Sequence, residues 1–228
     1  MKITWLGQAG LLFEENNFTV LVDPYLSDSV SKVNPKNKRR VAVNDKFFSL
    51  NPDVLICTHD HLDHTDPETL KLFLEKNEGI EILAPFSAWN TIRKIGGNHN
   101  FVNFNRHTRY SLRDFTFTAV KAEHSDAYAI GVLIEHKGKC FYITGDTLYN
   151  YDIFSDLPQK IDVVFLPVNG AGNNMNMTDA ALFCERVAPK YAVPMHCGLF
   201  DNIDMNTFSY DKKVVPKIYE EIVFPEIF

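Results

Sequence analysis

The stretch THDHLDH at residues 58–64 puts three histidines and two aspartates within seven positions, and its Thr58 also ends the apolar run DVLICT at 53–58. A short run with almost no polar side chain is expected to be a strand buried on both faces. His59 and His61 then lie two apart at its end, where alternate side chains share a side. Asp63 and His64 follow as the chain turns towards a helix, so they approach the same point from another direction. Imidazole suits Zn²⁺, Mn²⁺ and Fe, and carboxylate adds a hard oxygen ligand, so the spacing points to a metal site. Asp60 falls between the two histidines and is expected to face away from them as a solvent-facing polar residue.

The flanking sequence sets this motif in a layered fold. Downstream, Thr65 or Asp66 can cap a helix that starts with Pro67, carries Leu70, Phe73 and Leu74 on one face, and ends near Gly79. Upstream, KITWLG, LLFEE and FTVLVD read as strands parted by turn residues, and the polar residues 27–44 read as a long loop. EILAP (81–85) is a predicted strand, and SAWNTIRKI (87–95) a predicted helix closed by Gly96 and Gly97. The second half repeats the recipe without repeating the sequence. FTFTAVKA alternates with period two, and AIGVLIEH and CFYITGD form a predicted hairpin around Lys137-Gly138. A short helix then precedes the strand IDVVFLPV, the helix TDAALFCERVA (178–188) and a last strand, YAVPMH. No linker rich in Pro, Gly or Ser divides the halves. The expectation is an α/β fold: one domain over residues 1–228 with two stacked sheets and helices on the outer faces, in four αββα layers. The apolar tail KIYEEIVFPEIF packs on this domain or on a second copy, which allows a homo-oligomer.

One cluster cannot fill two coordination spheres. His124, Asp146 and His196 each end an apolar run where a loop begins, which is where folds of this class place their sites. His99, His107 and His136 have no partner spacing and are expected at the surface. With these residues and the motifs WLGQAG, VDPYLS, AEHSD, ITGDTLYN, LPVNGAGNNMN and PMHCGLFDN, the chain resembles the metallo-β-lactamase superfamily, and within it the L-ascorbate-6-phosphate lactonase-like branch of metal-dependent hydrolases. The resemblance implies that His59, His61 and His124 hold one cation, that Asp63, His64 and His196 hold the other, and that Asp146 bridges them. Asp63 and Asp146 would be the catalytic carboxylates, and Asp23 would orient a ligand from outside the coordination sphere. It further implies hydrolysis by a hydroxide shared between two divalent cations, Zn²⁺ or Mn²⁺ with Fe as a third choice. That hydroxide would open a lactone or cleave an ester of a small, phosphorylated metabolite. Two such cations, two carboxylates and one hydroxide leave a charge of about +1, which favours an anionic substrate.

Composition narrows the alternatives. Of 228 residues, 45% are hydrophobic, and 23 Lys and Arg against 29 Asp and Glu give a net charge of -6, so no broad nucleic-acid surface is expected. That weighs against a phosphodiesterase or a tRNA 3′-processing nuclease. A non-catalytic metal-binding scaffold would be expected to have lost a ligand. Four scattered cysteines, no C-x-x-C pair, no signal peptide and no apolar span point to a cytoplasmic protein without membrane contact. Cys197 is expected to fill space beside His196. For substrate, the loop with Asn169, Gly170 and Asn176 offers backbone and amide donors ahead of a helix. Lys36, Lys38, Arg39 and Arg40 form a basic run that either meets a phosphate or is simply solvated.

Overall fold

The alternation of apolar residues along each strand builds a core between two sheets and an apolar layer outside each, which helices cover. The protein is described by a computed structural model covering residues 1–225. One sheet runs in sequence order from β1 to β6: Lys2–Gly7, Gly10–Glu15, Phe18–Val22, Val54–Ile56, Glu81–Ala84 and Asn100–Asn103. The other runs from β12 back to β7: β7 Arg109–Leu112, β8 Phe115–Lys121, β9 Ile130–His136, β10 Lys139–Ile143, β11 Val163–Pro167 and β12 Tyr191–Met195. In β4, Val54 and Ile56 enter the layer between the sheets, while Leu55 faces the opposite way with the outer apolar cluster. In β11, Val163 and Phe165 point inward, and Val164 and Leu166 outward. Such strands bury both faces, so the central layer is walled by Phe13, Phe141 and Phe165, with edge-to-face ring contacts at 5.9 and 6.0 Å. Helices α2 (Pro67–Leu74) and α3 (Phe86–Ile95) bury Leu70, Phe73, Ala88 and Ile92 on the outside of the first sheet. Helix α4 (Met177–Val187) buries Ala180, Phe183 and Cys184 outside the second. The four αββα layers are therefore present.

Strand direction decides where loops can meet. β3 to β6 are mutually parallel, as are β10 to β12. β1 runs with β3 because β2 is antiparallel to both, and β8 runs with β10 for the same reason. The C-terminal ends of β1, β3, β4, β8, β10, β11 and β12 thus supply the connections that carry the site.

Several local expectations shift. Residues 27–44 are not simply loop: they hold the short helix α1 (Ser29–Val33) and a 3₁₀ turn at Pro35–Asn37. β6 and β7 were not expected. Both are edge strands with half-exposed side chains, so neither shows a strong apolar alternation. α2 starts as expected, with the Asp66 side chain accepting from the amides of Glu68 and Thr69, but it stops at Leu74. Asn77 Nδ2 donates to the Phe73 carbonyl at 2.9 Å there. The tail returns to its own chain: the amide of Ile222 donates to Ile3 O at 2.8 Å, and Phe224 is buried in the central layer. Its last three residues lie outside the described part. His136 is a correction, because it is buried and stacks on Phe115 at 4.0 Å. No helix among the described residues is long and apolar enough to cross a membrane.

Candidate metal centre

The β4 strand ends at Ile56, before the first histidine, so a pleated strand does not align His59 with His61. A turn does. The amides of His64 and Thr65 donate to His61 O at 3.0 and 2.8 Å, and Thr65 Oγ1 donates to His59 O at 2.7 Å. Asp60 faces outward as expected: its carboxylate accepts from Thr91 Oγ1 at 2.9 Å, and its amide donates to Asp126 Oδ2 at 2.9 Å.

Seven side chains meet above this turn. His59 Nε2 lies 3.0 Å from His61 Nδ1, which lies 3.1 Å from His124 Nε2. His64 Nε2 lies 3.1 Å from His196 Nε2, and Asp63 Oδ2 lies 3.4 Å from the same His196 nitrogen. Asp146 stands between the two sets. Its Oδ1 is 3.3 Å from His64 Nε2 and 3.0 Å from His196 Nε2, and its Oδ2 is 4.0 Å from His124 Nε2. Three groups of potential ligand atoms, each within 4.8 Å, follow: His59 with His61 and His124; Asp63 with His64 and His196; and His59 with His64 and Asp146. The first two groups have the membership that the resemblance implied.

The donor set fits divalent cations. His61 Nδ1 faces the ring nitrogens of both His59 and His124, and a single N–H can point at only one of them, so lone pairs converge there. Four ligands at about 2.0–2.1 Å around a tetrahedral ion stand about 3.3 Å apart, close to the spacings here. Buried Asp146 Oδ1 meets only the ring nitrogens of His64 and His196 at the bonding distances given above, with no amide or hydroxyl donor among the described residues.

The ligand faces are fixed from behind. Buried Asp23 accepts from the Thr58 amide at 2.7 Å, from Thr58 Oγ1 at 2.6 Å and from His64 Nδ1 at 2.8 Å. That leaves the His64 Nε2 lone pair turned inward. His59 Nδ1 is 3.1 Å from Thr58 Oγ1, and His124 Nδ1 is 3.2 Å from Asn173 O. Asn174 Nδ2 donates to Asp146 Oδ2 at 2.9 Å, and the Asn169 amide sits 3.1 Å from His196 Nδ1. Gln8 Nε2 donates to Asp63 Oδ2 at 2.8 Å. Gln8, Asp23 and His196 have φ of +49°, +42° and +62°, a left-handed backbone that non-glycine residues keep only when their surroundings hold it.

Charge follows from this crowding. Burial pulls the His59 and His124 rings below the usual histidine range. Burial opposes the charge on His64 too, but Asp146, Asp23 and Asp63 outweigh it and raise its proton affinity well above that range. His196 is pushed up to about 9 against its burial, by Asp146 and Asp63. Burial would raise the two carboxyls, yet the imidazoles hold Asp63 and Asp146 below the carboxylate range. A cation and a proton compete for the same nitrogens.

The site opens into a cavity of about 440 Å³, lined also by Val30, Asn37, Asn173, Phe200 and Asp201. Asn169 lines it, but two other residues of the expected substrate loop do not. Asn176 caps α4, accepting from the Thr178 and Asp179 amides at 2.8 and 2.9 Å, so those donors are spent. Gly170 makes a tight turn against Asn176, where an added Cβ would meet Asn176 Cβ at 2.9 Å. The basic run borders the cavity through Asn37, but none of its cations is in the wall. Arg39 holds Tyr25 O at 2.8 Å and the Tyr219 hydroxyl at 2.6 Å, and Lys36, Lys38 and Arg40 are exposed. Cys197 is buried in the outer core of the second sheet, and burial pushes its thiol up to about 12.

Residues 2–196, a span that includes all seven of these side chains, match the sequence family described as the Beta-lactamase superfamily domain. The chain belongs to the metallo-β-lactamase superfamily. This superfamily member is 30% identical to a UPF0173 metal-dependent hydrolase of Ligilactobacillus salivarius, with 99% of each chain covered. It is 28% identical to a UPF0173 protein of Pyrococcus furiosus, over 91% of this chain and 89% of that one. Among solved structures it resembles Igni18, a metallo hydrolase of Ignicoccus hospitalis, with a TM-score of 0.77 at 20% identity over 98% and 97% of the chains. It also resembles the metallo-β-lactamase fold protein YhfI of Bacillus subtilis, with a TM-score of 0.72 at 17% identity over 96% and 97%.

Sequence reasoning gave no role to Gln8, Thr58 or the Asn173 carbonyl. Gln8 and Thr58 lay inside quoted motifs, next to turn or ligand residues, and that adjacency was the available signal. The Asn173 carbonyl left none, because a backbone acceptor has no sequence signature.

Proposed function

We propose that this protein is a hydrolase that holds two divalent cations, Zn²⁺ or Mn²⁺ with Fe as a third choice, and cleaves the acyl–oxygen bond of a small lactone or ester in the cytoplasm. The observation that carries the reading is the position of Asp146, whose Oδ1 lies 3.0 and 3.3 Å from His196 and His64 Nε2 while its Oδ2 lies 4.0 Å from His124 Nε2, so that its two oxygens face the two sets of ring nitrogens. In this reading His59, His61 and His124 would hold one cation and Asp63, His64 and His196 the other, with Asp146 available to both. Bound cations at such a site lower the pKa of water towards neutrality and polarise the oxygen of the bond under attack. The chain's own part is to fix the ligands through Asp23, Thr58 and Asn174, and to present a wall of uncharged amides to the substrate.

That wall narrows the substrate. No lysine or arginine lines the cavity among the described residues, and Asp201 adds a carboxylate at its edge. A phosphate group would find no side-chain cation in the wall itself, with Lys36 and Lys38 only flanking the lining residue Asn37, so an unphosphorylated acyl substrate needs the fewest further contacts. Negative charge developing on an acyl oxygen would be met by cations held there. Four buried free cysteines fit a reducing compartment. The test is a turnover screen of the cation-loaded protein against sugar-acid lactones with and without phosphate, aryl esters and bis(p-nitrophenyl) phosphate. Turnover of the unphosphorylated acyl substrates is expected. Turnover confined to the phosphodiester, or none at full cation loading, would overturn this function.

A further inference from the structure

We infer that Gln8 is the positioning residue of the Asp63–His64–His196 pocket, an inference that rests on the two-cation reading above. Three independent contacts converge on it. Its side-chain amide donates to Asp63 Oδ2 at 2.8 Å and lies 3.2 and 3.3 Å from the two ring nitrogens of His196. Its backbone carbonyl accepts from the His196 amide at 3.0 Å. The same carbonyl accepts from Trp5 Nε1 at 3.0 Å, which anchors the turn to the central core. One buried residue at the end of β1 therefore grips the backbone and ring of one ligand and the carboxylate of another, although Asp63 is 55 and His196 is 188 positions away along the chain.

The chemistry of the amide matters as much as its place. A lysine or arginine at this position would fix Asp63 but would also cancel the charge that draws a cation. A neutral N–H donor fixes the oxygen and leaves the charge intact. The left-handed φ of +49° shows that the surrounding contacts hold this backbone in a costly conformation. No hydrogen bond from Gln8 reaches His59, His61 or His124, so its effect is confined to one of the two pockets.

The test uses Zn²⁺ alone, in competition with a chromophoric chelator. In a His124→Ala background, which cripples the first pocket, Gln8→Met is expected to weaken the remaining Zn²⁺ by about 10–100-fold. In a His196→Ala background, which cripples the second, the same change is expected to leave the remaining Zn²⁺ within about twofold. The cation-free unfolding midpoint of each variant separates lost positioning from lost folding, and Gln8→Leu replaces Gln8→Met if the latter does not fold. Equal loss in both backgrounds, or none in either, overturns the assignment. Wild-type protein that binds a single Zn²⁺ would instead sink the two-cation reading. In that event Gln8 keeps its role if that Zn²⁺ is lost in His196→Ala and weakened by Gln8→Met, and loses it otherwise.

Discussion

The two ends of the sandwich are built from the same residue types and do different things. At the opposite end from the site, buried His136 stacks on Phe115, with Nδ1 3.5 Å from Asp114 and Nε2 3.7 Å from Glu15. The Glu15 oxygens are taken by Lys137 at 2.5 Å and by the amino terminus at 2.7 Å. Glu15 there has its cations supplied by the chain. At the site end, Asp63 and Asp146 are held by the neutral amides of Gln8 and Asn174, and the nearest positive groups are imidazoles whose nitrogens face one another. A histidine–carboxylate cluster neutralised by lysine is a staple. One steered by amides keeps its charge for a guest.

The largest break in this contrast is Asp146→Ala. Losing the carboxylate that faces both pockets is expected to lower turnover by about a thousandfold or more, roughly 4 kcal/mol, and to strip cations from both. Elemental analysis checks it, and two retained cations would refute the shared role. Asp23→Asn comes next. It removes the acceptor for His64 Nδ1, so cation affinity should fall about 10–100-fold, with a stability loss of about 1–3 kcal/mol from the disrupted buried network. Denaturant unfolding and a cation titration on the same variant separate the two effects.

A smaller effect appears in the cation-free protein as pH changes. His196 is raised from 6.5 to about 9, so its contribution is complete below pH 6.5 and is lost as pH climbs through 9. Stability of the cation-free form should fall across that window by up to about 3 kcal/mol, while the cation-loaded form stays flat. A flat profile for both forms would mean that His196 does not carry that proton. The smallest effect is at the other end. The side chain of Lys137 and the amino terminus hold Glu15 down to about 2, so its contribution is present above about pH 4.5 and fades as pH falls towards 2. Glu15→Gln should cost about 0.5–1 kcal/mol at pH 7, less at pH 3, and nothing in cation affinity. A change in cation binding in that variant would erase the distinction between the ends.

Some of this was legible early because it depends on neighbours in the chain. The helix after the motif follows from Asp66, Pro67 and a 3.6-residue apolar repeat. The buried strands follow from unbroken apolar runs. The edge strands β6 and β7 escaped, since half-exposed residues carry little pattern. His136 escaped for a different reason: a lone histidine becomes buried only when Phe115, on a neighbouring strand, covers it.

Local chemistry thus decided that His59, His61, Asp63 and His64 share one turn, because seven residues cannot spread far apart. Only tertiary structure decided which amides stand behind them, which asparagine caps a helix and which lines a cavity. Those partners are separated by up to 188 positions, and they meet because parallel strands of two sheets end on the same edge.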